Sequence, residues 1–307
     1  MGAGAVAAVG ECMLELSGRP DGGWNLGYAG DTFNTLWAIR ALTDGDCDYV
    51  SAFGDDPFSQ KQVDFFRDNG IGVAASPFIA GARPGLYAIT LTGAERSFTY
   101  WRADAAARQL ASDPGALAKS FASRALVYFS GITLAILTPA ARSALLAAVA
   151  DARKAGSRVA FDPNYRPRLW ASVDEARAAI AEALAVTNIA LPTFPDEQAL
   201  FGDATQADTA RRLAALGVGE IVVKDGENPA LVHAGPSEES IAAVHVASPV
   251  DTTGAGDSFN GAYLAARLAG AEPFDAARKA HRVAAAVVQV RGALAPVDVL
   301  KSAFSQA

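Results

Sequence analysis

The spacing of apolar residues changes at about residue 105. Beyond that point, Ala-rich segments with helical periodicity alternate with short runs of β-branched and aromatic residues, a pattern that favours alternating helices and strands. A regular order of helix and strand is typical of a mostly parallel sheet with helices on both faces, so the sequence predicts an α/β fold. The predicted helices are 112–122, 138–155, 172–185 and 205–216, and the predicted strands are 125–130, 158–162, 188–191 and 220–224.

Two segments before residue 105 depart from this pattern, 11–34 and 83–102. Both alternate polar and apolar side chains with a period of two, which is typical of strands with one buried face. A turn at 92–95 would connect two strands of the second segment. We expect these segments to form antiparallel strands of a small β lid outside the main sheet. Edge strands of the main sheet are the alternative.

The segment with the clearest chemical character is 251–261, whose sequence is DTTGAGDSFNG. A turn of small residues precedes a helix predicted at 258–268, and Gly254 and Gly256 allow backbone angles that other residues avoid. Free N–H groups at a helix start, together with the helix dipole, favour a phosphoryl group. Asp257 would then take a proton from an attacking hydroxyl. An ordinary aspartate near a helix N-terminus is the alternative.

Composition and charge narrow the class of protein. The chain has 307 residues, 51% of them hydrophobic and 19% charged, which is the balance of a globular protein. Its net charge of -7 argues against nonspecific binding to nucleic acid or anionic membranes. The two cysteines, Cys12 and Cys47, lack metal-binding spacing, and no apolar run approaches the roughly 20 residues of a membrane span. A cytoplasmic location is the expectation.

The 251–261 string resembles the C-terminal signature of the ribokinase-like (PfkB) family of sugar kinases, and the resemblance extends over residues 5–296. It implies one ribokinase-like domain over 1–307 with a β lid, ATP and Mg²⁺ as cofactors, and a homodimer or a multiple of dimers. Other strings resemble the subgroup that phosphorylates 2-keto-3-deoxygluconate, and these are 10–16, 30–35, 84–87, 95–102, 130–137 and 161–170.

Phosphoryl transfer requires a base, a positioned nucleotide and neutralisation of the transferred charge. Asp257 is the candidate base, and the backbone N–H groups of Gly254, Ala255 and Gly256 form the candidate anion hole. No Walker-type GxxxxGK[ST] string occurs, which excludes a P-loop. The nucleotide contacts that the resemblance implies are Asn164, Arg166, Lys224, Gly226, Gly254, Gly256 and His281. For His281, a position on the surface of its helix, away from any ligand, is the alternative.

Metal binding is less well defined by the sequence. Family members often keep an Asn-x-x-Glu string that helps to organise magnesium. Glu197 occupies the Glu position here, but Phe194 stands at the Asn position. Any role of Glu197 in placing the metal is therefore indirect, and we expect Mg²⁺ to be held mainly by nucleotide phosphates and water.

The candidate sugar site starts from Gly30, Asp31 and Asn34, which resemble the family's sugar-binding string. Their side chains suit sugar hydroxyls, and Asp257 would face the hydroxyl that reacts. A neutral sugar would need no more than these groups, whereas a sugar acid also needs a cation.

Two arginines are the candidate partners of a substrate carboxylate, because arginine forks form charge-assisted hydrogen bonds with carboxylates. Arg102 shares one face of a strand with Tyr100, and Tyr87 lies on the partner strand. Arg166 follows a strand end of the main sheet. A surface salt bridge is the alternative for each arginine. Two other functions stay open, a kinase of the fructokinase or ribokinase type and a non-catalytic sugar- or nucleotide-binding regulator.

Overall fold

The computed structural model of the protein describes residues 4–19, 21–92 and 95–306. The strands are β1 (Val6–Val9), β2 (Met13–Gly18), β3 (Trp24–Ala29), β4 (Cys47–Val50), β5 (Phe53–Gly54), β6 (Ile71–Gly72), β7 (Phe78–Ile79), β8 (Leu86–Thr92), β9 (Glu95–Trp101), β10 (Leu126–Ser130), β11 (Arg158–Asp162), β12 (Ile189–Ala190), β13 (Glu220–Asp225), β14 (Asn228–Ala234) and β15 (Ser237–Ile241). The helices are α1 (Asp31–Leu42), α2 (Pro57–Asp68), α3 (Pro114–Phe121), α4 (Gly131–Ile136), α5 (Pro139–Lys154), α6 (Val173–Ala185), α7 (Phe194–Phe201), α8 (Gln206–Ala215), α9 (Ala255–Leu268), α10 (Pro273–Val287) and α11 (Val297–Ser305), with 3-10 helices at Ala106–Gln109 and Pro167–Leu169.

In the described part of the chain, the larger sheet has nine strands in the order β15-β14-β13-β12-β11-β10-β1-β4-β6. The strands from β13 to β6 in this order are parallel, and β14 and β15 are antiparallel to their neighbours. Side chains of β1 alternate between two hydrophobic clusters. Val6 and Ala8 face α1, α9 and α10, whereas Ala7 and Val9 face α5 and α6. Helices therefore cover both faces, which confirms the predicted fold class.

Most predicted helices were placed closely. The helices α3, α5, α6 and α8 begin and end within two residues of the predicted bounds. Each starts after a residue whose side chain accepts a hydrogen bond from a backbone N–H of the first turn, a stabilising arrangement at helix starts. These capping residues are Asp113, Thr138, Ser172 and Thr205.

The predicted start of α9 at Ser258 was wrong, because the helix begins at Ala255. Gly254 precedes it in the left-handed conformation, with φ of 73°, and an added Cβ there would lie 2.6 Å from the carbonyl oxygen of Ala293. Gly256 lies within the helix and needs no special backbone angle, contrary to expectation. As a result, Asp257 belongs to the first turn of α9.

The two segments predicted as a lid form a separate sheet in the order β3-β2-β8-β9, so the edge-strand alternative was wrong. The β2–β3 and β8–β9 pairs are antiparallel as predicted, but β2 and β8 pair in parallel. The first predicted segment was also too long, because residues 31–34 form the first turn of α1. The predicted turn at 92–95 includes residues 93–94, which lie outside the described residues.

Candidate active site

The carboxyl ends of the parallel strands meet the N-termini of α1 and α9 at one edge of the main sheet, which we call the rim. Three hydrogen-bonded contacts connect these elements. Asn34 of α1 donates to Asp257 of α9, and Asn164, which follows β11, donates to Asp31 of α1. Lys224 of β13 donates to the side chain at the end of β11, Asp162. Polar residues at or just beyond the ends of β11 and β13 therefore lie together with the first turns of α1 and α9.

The N-terminus of α9 is open for an anion. Its N-cap residue, Gly254, has no side chain that could accept a hydrogen bond from the N–H groups of the first turn, although the Ala255 N–H donates to the carbonyl oxygen of Thr252 at 3.3 Å. An added Cβ at Gly256 would meet nothing within 4 Å, so the backbone is accessible at this point. Gly254, Ala255 and Gly256 thus present a short stretch of backbone to the rim, in the positive end of the helix dipole.

Asp257 is partly buried in the first turn of α9. Its Oδ2 accepts a hydrogen bond from Nδ2 of Asn34 at 2.8 Å. Burial, followed by the negative charge of Asp31, raises the pKa of Asp257 to about 7, while the Asn34 hydrogen bond acts in the opposite direction. A carboxylate with this pKa can accept a proton near neutral pH, as a general base must.

Asp31 lies beside this carboxylate at the start of α1. Its Oδ2 accepts from Nδ2 of Asn164 at 2.8 Å, and burial raises its pKa. The preceding residue, Gly30, packs against the backbone of Glu11, and an added Cβ would lie 2.0 Å from the Glu11 carbonyl oxygen. The glycine is therefore required by close approach, since its own backbone is extended with φ of -179°.

A buried polar network lies under the rim. Nζ of Lys224 donates to Oδ2 of Asp162 at 2.9 Å and to Oδ1 of Asn260 at 2.8 Å. Nδ2 of Asn260 donates to the same Asp162 oxygen and to the hydroxyl of Tyr128. The ammonium of Lys224 is thus held by the interior of the protein. Sequence analysis missed Asn260, although it follows Asp257 by three residues and so lies on the same helix face.

A cavity of about 480 Å³ lies beside the N-terminus of α9, where Ala255 and Gly256 form part of its wall. It is lined by predicted nucleotide contacts, and apolar side chains complete its wall. This combination of an apolar wall and a few polar groups is typical of ligand sites. Four of the predicted nucleotide contacts line it, Lys224, Gly226, Gly256 and His281, together with Ala255 of the predicted anion hole, whereas Asn164 and Gly254 do not. The apolar lining residues include Val244, Val246, Phe259 and Val288.

His281 is buried, so a surface position on its helix was the wrong alternative. Its ring packs edge to face against Phe259 with 5.0 Å between centroids. Burial lowers the pKa of His281 to about 4, so the imidazole is neutral at pH 7. Among the described residues its Nε2 has no hydrogen-bond partner.

Arg166 lies at the rim two residues beyond Asn164. Its Nη1 forms an ion pair with Asp196 of α7 at 3.0 Å, and half of its side chain is exposed. This partly matches the surface salt-bridge alternative, although an exposed fork remains accessible to a ligand. Arg166 does not line the nucleotide-side cavity.

The small sheet brings Tyr87 and Tyr100 together, because they are directly opposite across β8 and β9, with 5.7 Å between ring centroids. Tyr87 is buried and its hydroxyl donates to Glu15 of β2, whereas Tyr100 is 51% exposed. Arg102 is neither exposed nor free, since it forms an ion pair with buried Glu11. The surface salt-bridge alternative was therefore wrong for Arg102.

Glu197 is fully buried in α7. Its Oε2 pairs with Nη2 of Arg212 at 2.7 Å, and burial raises its pKa to about 7. Its other oxygen has no partner within the described structure. Phe194, at the position where the resemblance expects Asn, packs against the hydrophobic core.

Comparison with known proteins identifies the chain's relatives. The model of the pfkB family carbohydrate kinases matches residues 4–300. The 2-dehydro-3-deoxygluconokinase of Dickeya dadantii is 39% identical over 304 residues, which is 96% of this chain and 98% of the relative. The enzyme of the same name from Escherichia coli K12 is 40% identical, with the same coverage.

A solved structure supports the same assignment. The fold is similar to that of aminoimidazole riboside kinase from Salmonella enterica, solved with aminoimidazole riboside and an ATP analog, with a TM-score of 0.83 and 25% identity over 98% of this chain and 100% of that one. No helix in the described ranges is long and apolar enough to span a membrane. Because the family model and the relatives match nearly the whole chain, the chain belongs to the pfkB family of carbohydrate kinases.

Proposed function

We propose that this chain is an ATP-dependent kinase that phosphorylates 2-keto-3-deoxygluconate and produces 2-keto-3-deoxy-6-phosphogluconate. The observation that carries the proposal is the position of Asp257 between two sets of groups. On one side, Asp31 and Asn34 provide partners for sugar hydroxyls. On the other side, the cavity beside Gly256 has room for a nucleotide. The Dickeya and Escherichia relatives support this substrate.

In the proposed mechanism, Asp257 accepts the proton of the sugar hydroxyl as that oxygen attacks the γ-phosphorus of ATP. The bond from this phosphorus to the bridging oxygen of ADP breaks, and ADP leaves. Asn34 fixes the orientation of the Asp257 carboxylate through its hydrogen bond. The backbone N–H groups of Gly254, Ala255 and Gly256 stabilise the negative charge on the transferred group.

The sugar is proposed to lie between the rim and the small sheet. Gly30, Asp31 and Asn34 would bind its hydroxyls, and Tyr87 and Tyr100 would cover it from the small sheet. Its carboxylate would interact with the remaining predicted cations, Arg102 and Arg166. An arginine that binds an anion in a partly desolvated pocket contributes on the order of 2–5 kcal/mol.

The nucleotide is proposed to occupy the cavity lined by Lys224, Gly226 and His281. The ATP analog bound to the Salmonella kinase, a similar fold, supports ATP as the donor. Asn164, which donates to Asp31, and Arg166, two residues further along the chain, would contact both ligands. Because the Lys224 ammonium is held by Asp162, its effect on the phosphates would be electrostatic at a distance.

Magnesium is proposed to accompany the nucleotide. The described residues contain no group of three or more His, Cys, Asp or Glu side chains that could hold a metal. A magnesium ion that is held mainly by phosphate oxygens and water does not need such a cluster of side chains. Glu197 is fully buried, pairs with Arg212 and does not line the cavity, so any effect of Glu197 on the ion would be indirect. When bound, the ion would neutralise charge on the phosphates.

A homodimer, or a multiple of dimers, is proposed to form through the small sheet. The strand pairing puts Leu26 and Trp101 on one face of this sheet, and Trp24 continues that face at the end of β3. Trp24 is 49% exposed, Leu26 43% and Trp101 56%. A second copy would remove this apolar face from water, which is the usual reason for such a patch.

A coupled assay for ADP tests the proposed function with three substrates, 2-keto-3-deoxygluconate, fructose and ribose. We expect turnover with the sugar acid at a kcat/KM at least about a hundredfold above the neutral sugars, because a site built for a charged group rejects analogues that lack it. Preference for fructose or ribose would instead indicate the other type of sugar kinase. No turnover with any sugar, together with normal ligand binding, would indicate a regulator.

A further inference from the structure

Glu11 occupies a central position that the sequence did not reveal. It follows β1 at the carboxyl end of the strand, and its carbonyl oxygen packs against Gly30. Its side chain lies under Gly85, where an added Cβ would be 2.5 Å from Glu11 Oε1. Glu11 is therefore enclosed between the predicted sugar-binding string and the small sheet, and it is 3% exposed.

The Glu11 carboxylate forms an ion pair with the guanidinium of Arg102. The Glu11 side chain is 1% exposed and that of Arg102 is 13% exposed. Within the described ranges, two atoms of this pair are buried without a hydrogen-bond partner, Oε1 of Glu11 and Nε of Arg102. The pair is thus incompletely satisfied, which is unusual for buried charges.

The two opposite charges largely cancel each other. An anion that approaches Arg102 is attracted by the guanidinium and repelled by the Glu11 carboxylate a short distance behind it. In a partly desolvated site, both effects are stronger than in water. The attraction between Arg102 and an anionic ligand is consequently smaller than that of an unpaired arginine, but the guanidinium is kept in one orientation.

We propose that Glu11 is a specificity-determining residue of the sugar pocket, which positions Arg102 and limits the positive charge that this arginine presents to the carboxylate of a sugar acid. The inference rests on the proposed function, because it assigns Arg102 to that carboxylate. Glu11 acts through Arg102 and does not contact the substrate. A change at Glu11 should therefore affect sugar acids, and leave neutral sugars and ATP unaffected.

Glu11→Gln is the main test, because Gln keeps the shape and can still accept a hydrogen bond from Arg102. We expect its KM for 2-keto-3-deoxygluconate to fall about three- to tenfold, since one repulsive charge is removed. Its KM for ATP should stay within about twofold of the parent value. The sugar acid should also raise the unfolding temperature of E11Q more than that of the parent protein.

Glu220→Gln is the matched control. Glu220 also forms a mostly buried ion pair with an arginine, Arg267, with side chains 13% and 17% exposed. It belongs to β13 at the amino end of the strand, away from the rim. E220Q should lower stability but leave the KM for the sugar acid unchanged, which separates a local electrostatic effect from a general loss of stability.

A second comparison applies even if E11Q folds poorly. The double variant E11Q/R102Q leaves no buried charge unpaired, so we expect it to fold and to have the same sugar-acid KM as R102Q within about threefold. A larger difference would show that Glu11 contacts the substrate directly and would overturn the inference. An unchanged or raised sugar-acid KM in folded E11Q would also overturn it. Absence of sugar-acid turnover in the parent would instead contradict the proposed function.

Discussion

Nδ2 of Asn34 donates a hydrogen bond to Oδ2 of Asp257 at 2.8 Å, and so connects the first turn of α1 to the first turn of α9. The two helices pack closely behind this contact, since an added Cβ at Gly261 would lie 2.5 Å from the Cβ of Ala38. The orientation of the carboxylate is therefore fixed by tertiary packing.

Asp257→Asn should abolish most of the turnover and keep the fold. A positioned general base contributes roughly 10²–10⁴ in rate. Initial-rate measurements with saturating substrates, alongside circular dichroism, test this expectation. The exposed ion-pair residue Asp151 provides a control, because D151N should retain full activity. A kcat of D257N within a few-fold of the parent would remove Asp257 from the role of base.

The activity of the parent should increase with pH through about 7, because the pKa of Asp257 is raised to about 7 and only its ionised form accepts a proton. The profile of kcat/KM against pH provides the measurement. An acidic limb near pH 4, the ordinary value of a carboxyl, would show that another group controls the rate.

The stability of the protein should also depend on the ionisation of Asp257, but it should fall with rising pH where the activity increases. The folded-state pKa of Asp257 is about 7 and the ordinary value is 3.8, so between these values the folded protein retains a proton that the unfolded chain has lost. The stabilisation is present at low pH and is lost as pH rises through about 7. We expect D257N to be more stable than the parent by about 1–2 kcal/mol at high pH, less than the roughly 4 kcal/mol of the full pKa difference because solvent screens this partly exposed carboxylate, and equal to it at about pH 4. Denaturant unfolding at both pH values tests this.

Arg102 and Arg166 are the two candidate partners of the substrate carboxylate. Their replacement should lower the stability of the protein by different amounts. Arg102→Ala leaves the buried Glu11 carboxylate unpaired, so we expect a loss of about 3–5 kcal/mol in addition to a raised KM for the sugar acid. Arg166→Ala breaks a half-exposed pair and should cost at most about 1 kcal/mol, while also raising that KM. Exposed Arg168 is the control, and R168A should change neither quantity. Equal stability losses in R102A and R166A would contradict the difference in burial between the two ion pairs.

The two glycines at the α9 N-terminus should also respond differently to alanine. Gly254→Ala places a methyl group against Ala293 and forces a left-handed backbone, so stability should fall by about 1–3 kcal/mol. Gly256→Ala meets no protein atom, so stability should be kept while the KM for ATP rises. Thermal unfolding and initial rates distinguish the two effects. An unaltered KM for ATP in folded G256A would separate Gly256 from the phosphate site.

The oligomer can be tested through Trp101, which is 56% exposed on the outer face of the small sheet. Trp101→Glu should convert the protein to a monomer of 31.6 kDa in light scattering, because a charge would be placed in an apolar interface. A parent protein that is already fully active as a monomer would contradict the proposed dimer.

The sequence was sufficient for features that depend on local pattern. Helical periodicity located α3, α5, α6 and α8, and the 251–261 string located the candidate base. The position of His281 in a cavity wall depends on packing between α9 and α10, and no local pattern indicates it. The partner of Arg102 is separated from it by 91 positions, so only the fold brings Glu11 into contact. For the same reason, the shared role of Lys224, Asp162 and Asn260 was not predicted.

The β8–β9 hairpin and the residue that follows it, Arg102, are continuous in sequence and together provide three of the predicted substrate contacts. Transfer of such a hairpin between related kinases is therefore an attractive way to redesign substrate choice without changes at Asp257. The Glu11–Arg102 pair sets a condition on this strategy. A transplanted hairpin without an arginine at position 102 would leave the carboxylate of Glu11 buried and uncompensated, so residue 11 has to be exchanged together with the hairpin.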